Sequence, residues 1–330
     1  MRLVSLLPPL AAASALASSL AAQSALGQSD WPSQFPNDRL GASVAILDDL
    51  TGDGIAELLV GAPGSATVVG ARADAFIFQI GSATPLRSHP GKFAANAFGE
   101  QVAALDDLDG DGIGDYAVSA IRRNFFGEVD VFSGATGALL TVITPPAGTS
   151  SLFGFAIEQI GDLNGDGLED VAISAPDVFA GGFGGNPGQV HIFLSGAGSF
   201  SFVRTLTGVG TNDGLGDDLC FLGGGVLAVG APFIPVTGAF VIGGGGVFFF
   251  NVNTGTTAFP FLERLTPLTN EFFGTSLASP GDLNGDGINE IAVGIRSPGG
   301  FLSGAVELYN VLGGPTGVNP PLGSRVFSGI

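Results

Sequence analysis

The sequence contains very little cysteine, histidine or positive charge. Among 330 residues there are one Cys, two His and 11 Lys and Arg, against 30 Asp and Glu. A single Cys cannot form an intrachain disulfide, and there is no zinc motif, Cys–His pair or Gly-x-Ser-x-Gly turn. We therefore predict no catalytic residue. The formal net charge of −19 argues against nucleic acid as a partner, because nucleic-acid binding requires a positively charged surface.

The N-terminus has the pattern of a secretory signal peptide. Arg2 precedes an apolar stretch over Leu3–Leu20, and small residues follow up to Gly27. We predict a signal peptide over 1–27, with an uncleaved anchor as the alternative, and a mature chain over 28–330. No other stretch is long and apolar enough to span a bilayer. The sequence thus predicts a secreted, extracellular or cell-surface protein without a membrane span after signal cleavage.

A unit of 55 to 62 residues occurs five times along the chain. Each unit opens with a Gly that follows Leu or Phe: Leu40-Gly41, Phe98-Gly99, Phe153-Gly154, Leu215-Gly216 and Phe273-Gly274. The units cover about 41–98, 99–153, 154–215, 216–273 and 274–330. In each unit, short apolar segments are separated by turns rich in Gly, Pro, Asn and Asp, which predicts a four-stranded antiparallel sheet.

The repeats predict an all-β fold in which neighbouring sheets stack, because one such sheet cannot bury both of its faces alone. Radial stacking gives a β-propeller of four-stranded antiparallel blades, with five repeats here; a parallel β-helix is the alternative architecture. His191 shares its register on the third strand with Asp130 and Glu307, which predicts a solvent-facing side chain. The third strands are expected to end in an aromatic residue: Phe78, Phe132, Phe193, Phe250 and Tyr309.

Four of the five units carry an acidic loop between the first and second strands, with the pattern D-x-[DNT]-x-D-G-x-x-[DE]. The first, third, fifth and ninth side chains, with the seventh backbone carbonyl, can form an oxygen cage. Hard oxygen ligands without His or Cys favour calcium (Ca2+). The predicted metal ligands are Asp49, Thr51, Asp53, Ile55, Glu57, Asp107, Asp109, Asp111, Ile113, Asp115, Asp162, Asn164, Asp166, Leu168, Asp170, Asp282, Asn284, Asp286, Ile288 and Glu290.

The loops differ from EF-hands, and one unit lacks the loop. An EF-hand requires a Glu at the twelfth position, where this sequence has Val60, Val118, Ile173 and Val293 within strands. The fourth unit has only Gly223-Gly224-Gly225 at the corresponding place. The sequence therefore predicts about four calcium ions and one unit without metal. The alternative is a set of acidic turns that bind nothing.

The opening Gly, the acidic loop and a following Gly-Ala-Pro, as at Gly61-Ala62-Pro63, together resemble the FG-GAP repeats of integrin α-subunit β-propellers. The resemblance covers about residues 41–330. It implies a propeller with calcium in the loops between the first two strands of its blades. Integrin propellers have seven repeats, so these five predict either a closed five-bladed ring or an incomplete arc of a seven-bladed propeller.

The loops between the second and third strands are expected on the face opposite the calcium loops. Candidate ligand anchors in these loops are Arg122, Arg123, Phe179, Phe183, Phe233, Phe240 and Phe301. Because binding residues often lie on variable loops of a rigid scaffold, we predict a non-catalytic binding or adhesion module. Its partner would be a protein or glycan, and its calcium ions would be structural. The alternative is an extracellular carbohydrate-active enzyme, a lyase or hydrolase, on a propeller scaffold.

Overall fold

The computed structural model describes residues 38–64, 72–91, 94–147, 149, 152–176, 187–208, 210, 213–234, 244–262, 272–285, 289–296 and 304–311. Within these ranges the chain forms 19 β-strands and no α-helix, which confirms the all-β prediction. Accordingly, no helix in the described part of the chain could cross a bilayer. The predicted signal peptide over 1–27 lies outside the described residues.

The strands form five antiparallel sheets that follow one another along the chain. The first sheet contains β1 (Val44–Ile46), β2 (Leu58–Ala62), β3 (Asp74–Phe78) and β4 (Arg87–Pro90). The second contains β5 (Phe98–Ala104), β6 (Tyr116–Ala120), β7 (Glu128–Phe132) and β8 (Leu139–Ile143). The third contains β9 (Ile157–Gln159), β10 (Val171–Ala175), β11 (Gln189–Gly196) and β12 (Ser199–Thr207).

The fourth sheet contains β13 (Leu219–Phe221), β14 (Val226–Ala231), β15 (Gly246–Asn251) and β16 (Thr257–Leu262). The fifth has three described strands, β17 (Phe273–Gly281), β18 (Glu290–Ile295) and β19 (Ala305–Tyr309). Every strand is hydrogen-bonded to its neighbour in the chain, so each sheet is a simple up-and-down meander. The predicted four-stranded blades are confirmed for the first four repeats.

The middle strands of the sheets are buried on both faces. All five residues of β3, β6 and β10 are buried. A strand covered on both faces buries consecutive residues, rather than every second one. The prediction of a solvent-facing His191 is wrong for this reason, since its side chain is 1% exposed. Asp130 and Glu307, at the same register, are 7% and 5% exposed.

Each pair of successive sheets shares one buried apolar cluster. Four clusters therefore join the first sheet to the second, the second to the third, the third to the fourth and the fourth to the fifth. The opening glycines lie where the backbones approach most closely. The carbonyl oxygen of Gly99 is 2.0 Å from the place a Cβ on Gly61 would take, and that of Gly274 is 2.1 Å from a Cβ on Gly230. These contacts give the successive packing of propeller blades. Within the described residues, no such cluster joins the fifth sheet to the first.

Candidate metal centres

The first carboxylate of each acidic loop fixes the shape of that loop. One oxygen of Asp49, Asp107, Asp162 and Asp282 accepts the N–H of the fourth loop residue, which is a glycine in all four loops, at 2.6–2.7 Å. In the first three loops the other oxygen accepts the N–H of the sixth residue at 2.6–2.8 Å. This second bond is the largest cause lowering the pKa of Asp49, Asp107 and Asp162. The first carboxylate is therefore held ionised at the mouth of the loop.

The ninth residue places a buried carboxylate beneath the loop. Glu57, Asp115, Asp170 and Glu290 are at most 1% exposed, and each accepts the N–H of the second residue of its own loop at 2.5–2.8 Å. Burial raises the pKa of Asp115 and Asp170, and the charges of other carboxylates in the same loops act in the same direction. A cation between these carboxylates would reverse that effect, because an opposite charge stabilises the ionised form.

Carboxylate oxygens from three residues converge in each of the first two loops. In both sets the oxygens lie within 4.8 Å of one another, and the sets are Asp49, Asp53 and Glu57, and Asp107, Asp109 and Asp115. All six donors are hard oxygen atoms, which is the ligand type that calcium takes. The residues present therefore fit a calcium ion in these two loops.

Two further predicted ligands of these loops, Thr51 and Asp111, differ in their contacts. The hydroxyl of Thr51 is 3.4 Å from an oxygen of both Asp49 and Glu57, between the first and ninth positions. Asp111 instead accepts the N–H of Ile113 at 3.0 Å and the hydroxyl of Ser133 at 3.3 Å. Asp111 does not belong to the convergent set of the second loop, whereas Asp53 belongs to that of the first.

The third loop repeats the same framework, and the fourth is partly described. In the third loop the Asn164 amide donates to Asp166 Oδ2 at 3.0 Å. In the fourth, the Asn284 amide donates to Glu290 Oε1 at 2.6 Å. Asp286 and Ile288 lie outside the described residues. The seventh positions differ in their packing: Leu168 contacts the core between the second and third sheets, whereas Ile55 is 45% exposed and Ile113 is half-buried.

The turns between the third and fourth strands close over the acidic loops. Gly134 N donates to Asp115 Oδ1 at 2.9 Å, and Ser195 N donates to Asp170 Oδ1 at 2.8 Å. Gly134 follows the third strand of its sheet, and Ser195 lies near the end of the third strand of its own sheet. These contacts place the acidic loops and the third-to-fourth turns at the same end of the blades, as the meander order predicts.

Neighbouring acidic loops are joined by carboxylates that sequence reasoning missed. Asp48 Oδ2 accepts the N–H of Gly114 in the second loop at 2.9 Å. Asp106 Oδ2 accepts the N–H of Glu169 in the third loop at 2.6 Å. Both acceptors directly precede the first ligand of their own loop. The Asp-Asp pairs at 48–49 and 106–107 are therefore the sequence feature from which these contacts could have been predicted. The three loops are therefore linked in series.

The fourth repeat has no acidic loop, and carboxylates of the third and fourth repeats join its sheet to the neighbouring sheets. The three glycines form a tight turn in which Leu222 N donates to Val226 O at 2.9 Å, and no acidic loop is present. Glu158 Oε1 accepts the N–H of Phe221 at 2.8 Å, and Asp218 Oδ2 accepts that of Leu277 at 2.7 Å. These carboxylates join the third sheet to the fourth and the fourth to the fifth. Burial raises the pKa of Glu158 to about 7.

The loop between β6 and β7, at the opposite end of the second blade, presents two aromatic side chains. Phe125 is 89% exposed and Phe126 52% exposed. Asn124 and Phe125 have φ values of 54° and 72°, which few residues other than glycine adopt. Arg122, predicted as an anchor, is exposed. Phe125 and Phe126 were not predicted, because their exposure depends on this left-handed backbone.

Two other predicted anchors, Arg123 and Phe233, make contacts within the protein. Arg123 Nη2 donates to Asp130 Oδ2 at 2.9 Å, and the guanidinium lies 5.8 Å from the ring centre of Phe98. The ring of Phe233 packs edge-to-face on that of Phe272 at 5.6 Å. The other predicted anchors lie outside the described residues: Phe179, Phe183, Phe240 and Phe301.

Comparison with known proteins agrees with this architecture. The FG-GAP repeat model matches residues 40–73 and 158–193. Integrin alpha-IIb of Homo sapiens is 33% identical over 172 residues, which cover 46% of this chain and 15% of that protein. Integrin alpha-4 of Xenopus laevis is 32% identical over 150 residues, covering 41% and 14%. The chain therefore carries FG-GAP repeats and resembles integrin α-subunits over nearly half of its length, while matching about one-seventh of theirs.

Two solved structures show a weaker likeness. The exotype rhamnogalacturonan lyase YesX has a TM-score of 0.43 and 15% identity, with 78% of this chain and 47% of that chain covered. Rhamnogalacturonan lyase YesW also has a TM-score of 0.43 and 15% identity, with 86% and 57% covered. A likeness of this size does not bear on function.

Proposed function

We propose that this protein is a secreted, calcium-binding β-propeller that acts as a non-catalytic binding or adhesion module. The observation that carries the proposal is the convergence of carboxylates in the first two acidic loops, where oxygens from three residues lie within 4.8 Å. Four such loops are present in the sequence, and each is expected to hold one calcium ion. The ions are structural, because each would connect the start of a loop with the buried ninth carboxylate beneath it.

Mutual repulsion of the loop carboxylates supports a bound cation. Asp107, Asp109 and Asp115 carry negative charges close together, and the raised pKa of Asp115 reflects burial and those neighbouring charges. Calcium accepts six to eight oxygen ligands in flexible geometry, whereas magnesium requires a regular octahedron and retains several waters. The exposed loops and their mixed carboxylate, hydroxyl, amide and carbonyl oxygens suit calcium.

The calcium sites can be counted by isothermal titration of metal-free protein. We expect about four ions for the native protein, as the four loops imply. Asp107→Asn should remove one site, because this carboxylate organises its loop. Glu100→Gln is the matched control: Glu100 is an acidic residue of the same sheet that pairs with Arg39 outside the loops. No calcium binding, or equal loss in both variants, would contradict the proposal.

The ligand is expected on the face opposite the calcium loops. The β6–β7 loop there combines exposed aromatic rings with the exposed Arg122. Aromatic and arginine side chains are the residues that dominate binding energy at interfaces. We therefore assign a protein or glycan ligand to this face.

An extracellular lyase or hydrolase is the alternative, and one cleft favours it. A space of about 690 Å³ between the first and second sheets is lined by His89, Arg123, Glu128 and Asp130. His89 Nε2 lies 2.7 Å from the hydroxyl of Tyr116, and burial lowers the pKa of His89 to about 4. With this pKa the imidazole is neutral at physiological pH and is only a weak base, so the cleft supports the enzyme through its lining of a histidine, an arginine and two carboxylates.

Purified extracellular polysaccharides distinguish the two functions. The protein would be incubated with each polysaccharide, and both bound protein and newly formed chain ends would be measured. Binding without new chain ends, reduced by Phe125→Ala, supports the binding module. Release of chain ends that is lost in His89→Ala would show the enzyme instead.

A further inference from the structure

The four contacts between successive sheets share one arrangement. The opening glycine of each following sheet lies against a small residue of the second strand in the preceding sheet. Gly99 contacts Gly61 in this way, and Gly274 contacts Gly230. In the other two pairs a Cβ on the opening glycine would be 2.8–2.9 Å from the Cβ of Ser119 or Ser174. We call the opening glycine of a sheet its corner. We call the small second-strand residue that this glycine contacts in the preceding sheet the socket: Gly61, Ser119, Ser174 or Gly230.

The fifth sheet has the same socket, and no corner from the described part of the chain lies in it. Gly294 pairs with Val306, as Gly61 pairs with Ala75 and Gly230 with Val247 in the first and fourth sheets. The three atoms nearest to a Cβ on Gly294 all belong to Ser276 of the same sheet, at 3.2–3.3 Å, and a space of about 370 Å³ lies over these residues.

The exposure of Val306 also distinguishes the fifth sheet from the other four. Val306 is 45% exposed. The residues at its position in the other four sheets are fully buried: Ala75, Val129, Val190 and Val247.

The first sheet has the corner, and none of the described residues receives it. Gly41 has a φ of +89°, as the other opening glycines do, but no described atom lies within 4 Å of the place its Cβ would take. Three residues further on, Val44 is 59% exposed, and Ile46 is 72% exposed. The counterparts of Val44 in the other sheets are only 2–8% exposed: Val102, Ile157, Leu219 and Leu277.

We infer that copies of this chain associate head to tail, with the Gly41 corner and β1 of one copy seated on the fifth sheet of the next. The internal contacts supply the geometry. Val102 N donates to the hydroxyl of Ser43 at 3.1 Å, and Leu277 N donates to Asp218 Oδ2 at 2.7 Å. Ser276 occupies the position of Ser43 and Asp218 in the fifth sheet, so it would accept the N–H of Val44 from the other copy.

A second copy fits these two surfaces better than closure within one chain. In the described residues the first and fifth sheets share no packing cluster, whereas all four internal interfaces are closed by one. Closing the ring would require those buried interfaces to shift together, and close-packed interiors resist such deformation. Association between copies leaves them unchanged. Since the two surfaces differ, the contact is heterologous and can continue beyond a dimer.

Sedimentation of the mature protein in calcium, over a concentration series, tests the inference. We expect the average mass to rise with concentration and to exceed that of a dimer. Val44→Asp or Val306→Asp should weaken association by about tenfold or more, since each places a charge in the apolar contact. Val203→Asp is the control, because Val203 is also exposed, at 37%, but lies on the third sheet.

Mixing the two aspartate variants sharpens the test. Each retains one intact surface, so the mixture should form heterodimers and nothing larger. A native protein that stays monomeric at every concentration would overturn the inference, and so would equal effects of all three aspartate substitutions.

Cysteine cross-linking distinguishes association from ring closure and does not depend on the aspartate variants folding. Val44→Cys and Ser276→Cys would be prepared separately, mixed and oxidised; the native Cys220 is buried. A disulfide between the two chains is expected. In the double variant, a disulfide formed within single chains at low concentration would show closure of the ring and overturn the inference.

Discussion

Replacing Glu158 by Gln should change how stability depends on pH. Glu158 joins the third and fourth sheets through the N–H of Phe221. Burial raises its pKa from 4.5 to about 7, and the charges of Asp218 and Glu169 act in the same direction. Because the folded pKa is above the unfolded one, the stabilising contribution is complete below pH 4.5 and is lost as pH rises through about 7.

The size of the effect follows from the two pKa values. The difference between 4.5 and about 7 corresponds to about 3 kcal/mol of unfolding free energy. For a domain of this size, that is a shift in melting temperature on the order of 5 °C. Glutamine keeps an oxygen for the Phe221 N–H but has no proton to lose.

Unfolding would be followed in chelator at about pH 5 and about pH 8, so that metal binding does not contribute. The native protein should be less stable at the higher pH, and Glu158→Gln should lose about 2.5 kcal/mol less between the two, because a small part of the effect is already lost at pH 5. Burial also raises the pKa of Asp217 to about 7, so adding Asp217→Asn should flatten the dependence further. An unchanged difference in Glu158→Gln would refute the reasoning.

Two further substitutions test the contacts between sheets. Gly61→Ala should cost about 3 kcal/mol or more in denaturant unfolding, because its Cβ would meet the Gly99 carbonyl at 2.0 Å. Gly198→Ala, with a φ of 65° and nothing within 4 Å, should cost only about 1–2 kcal/mol, and equal costs would contradict the corner contact. Asp48→Ala should lose about 1 kcal/mol and weaken the coupling between calcium ions in the first two loops, because it removes the carboxylate oxygen that accepts the Gly114 N–H. An unaltered calorimetric titration of this variant would show that the loops bind independently.

The order of strands could be predicted from the sequence because each unit repeats its own local signals. The acidic loops could be recognised for the same reason, since their first and ninth ligands belong to one short segment. The burial of His191 could not, because hydropathy does not show that a second sheet covers the other face. The Asp48 contact was also missed, because its partner Gly114 lies 66 residues away and meets it only after the sheets pack.

The sequence also could not show whether the first and fifth sheets pack on each other. The spacing of opening glycines left a closed ring and an open arc as alternatives. The exposure of Val44 at one end and Val306 at the other becomes visible only when equivalent positions are compared across sheets. Such a comparison needs the register of each strand.

Thermal unfolding with calcium and with chelator tests the central claim most directly, with magnesium as the control ion. When an ion binds only the folded state and its free concentration is 100 times the dissociation constant, it adds about 2.7 kcal/mol per site to the free energy of unfolding. Four loops should therefore raise the melting temperature clearly in calcium and much less in magnesium. Identical melting curves in calcium and in chelator would contradict calcium as the ion that holds these blades in shape.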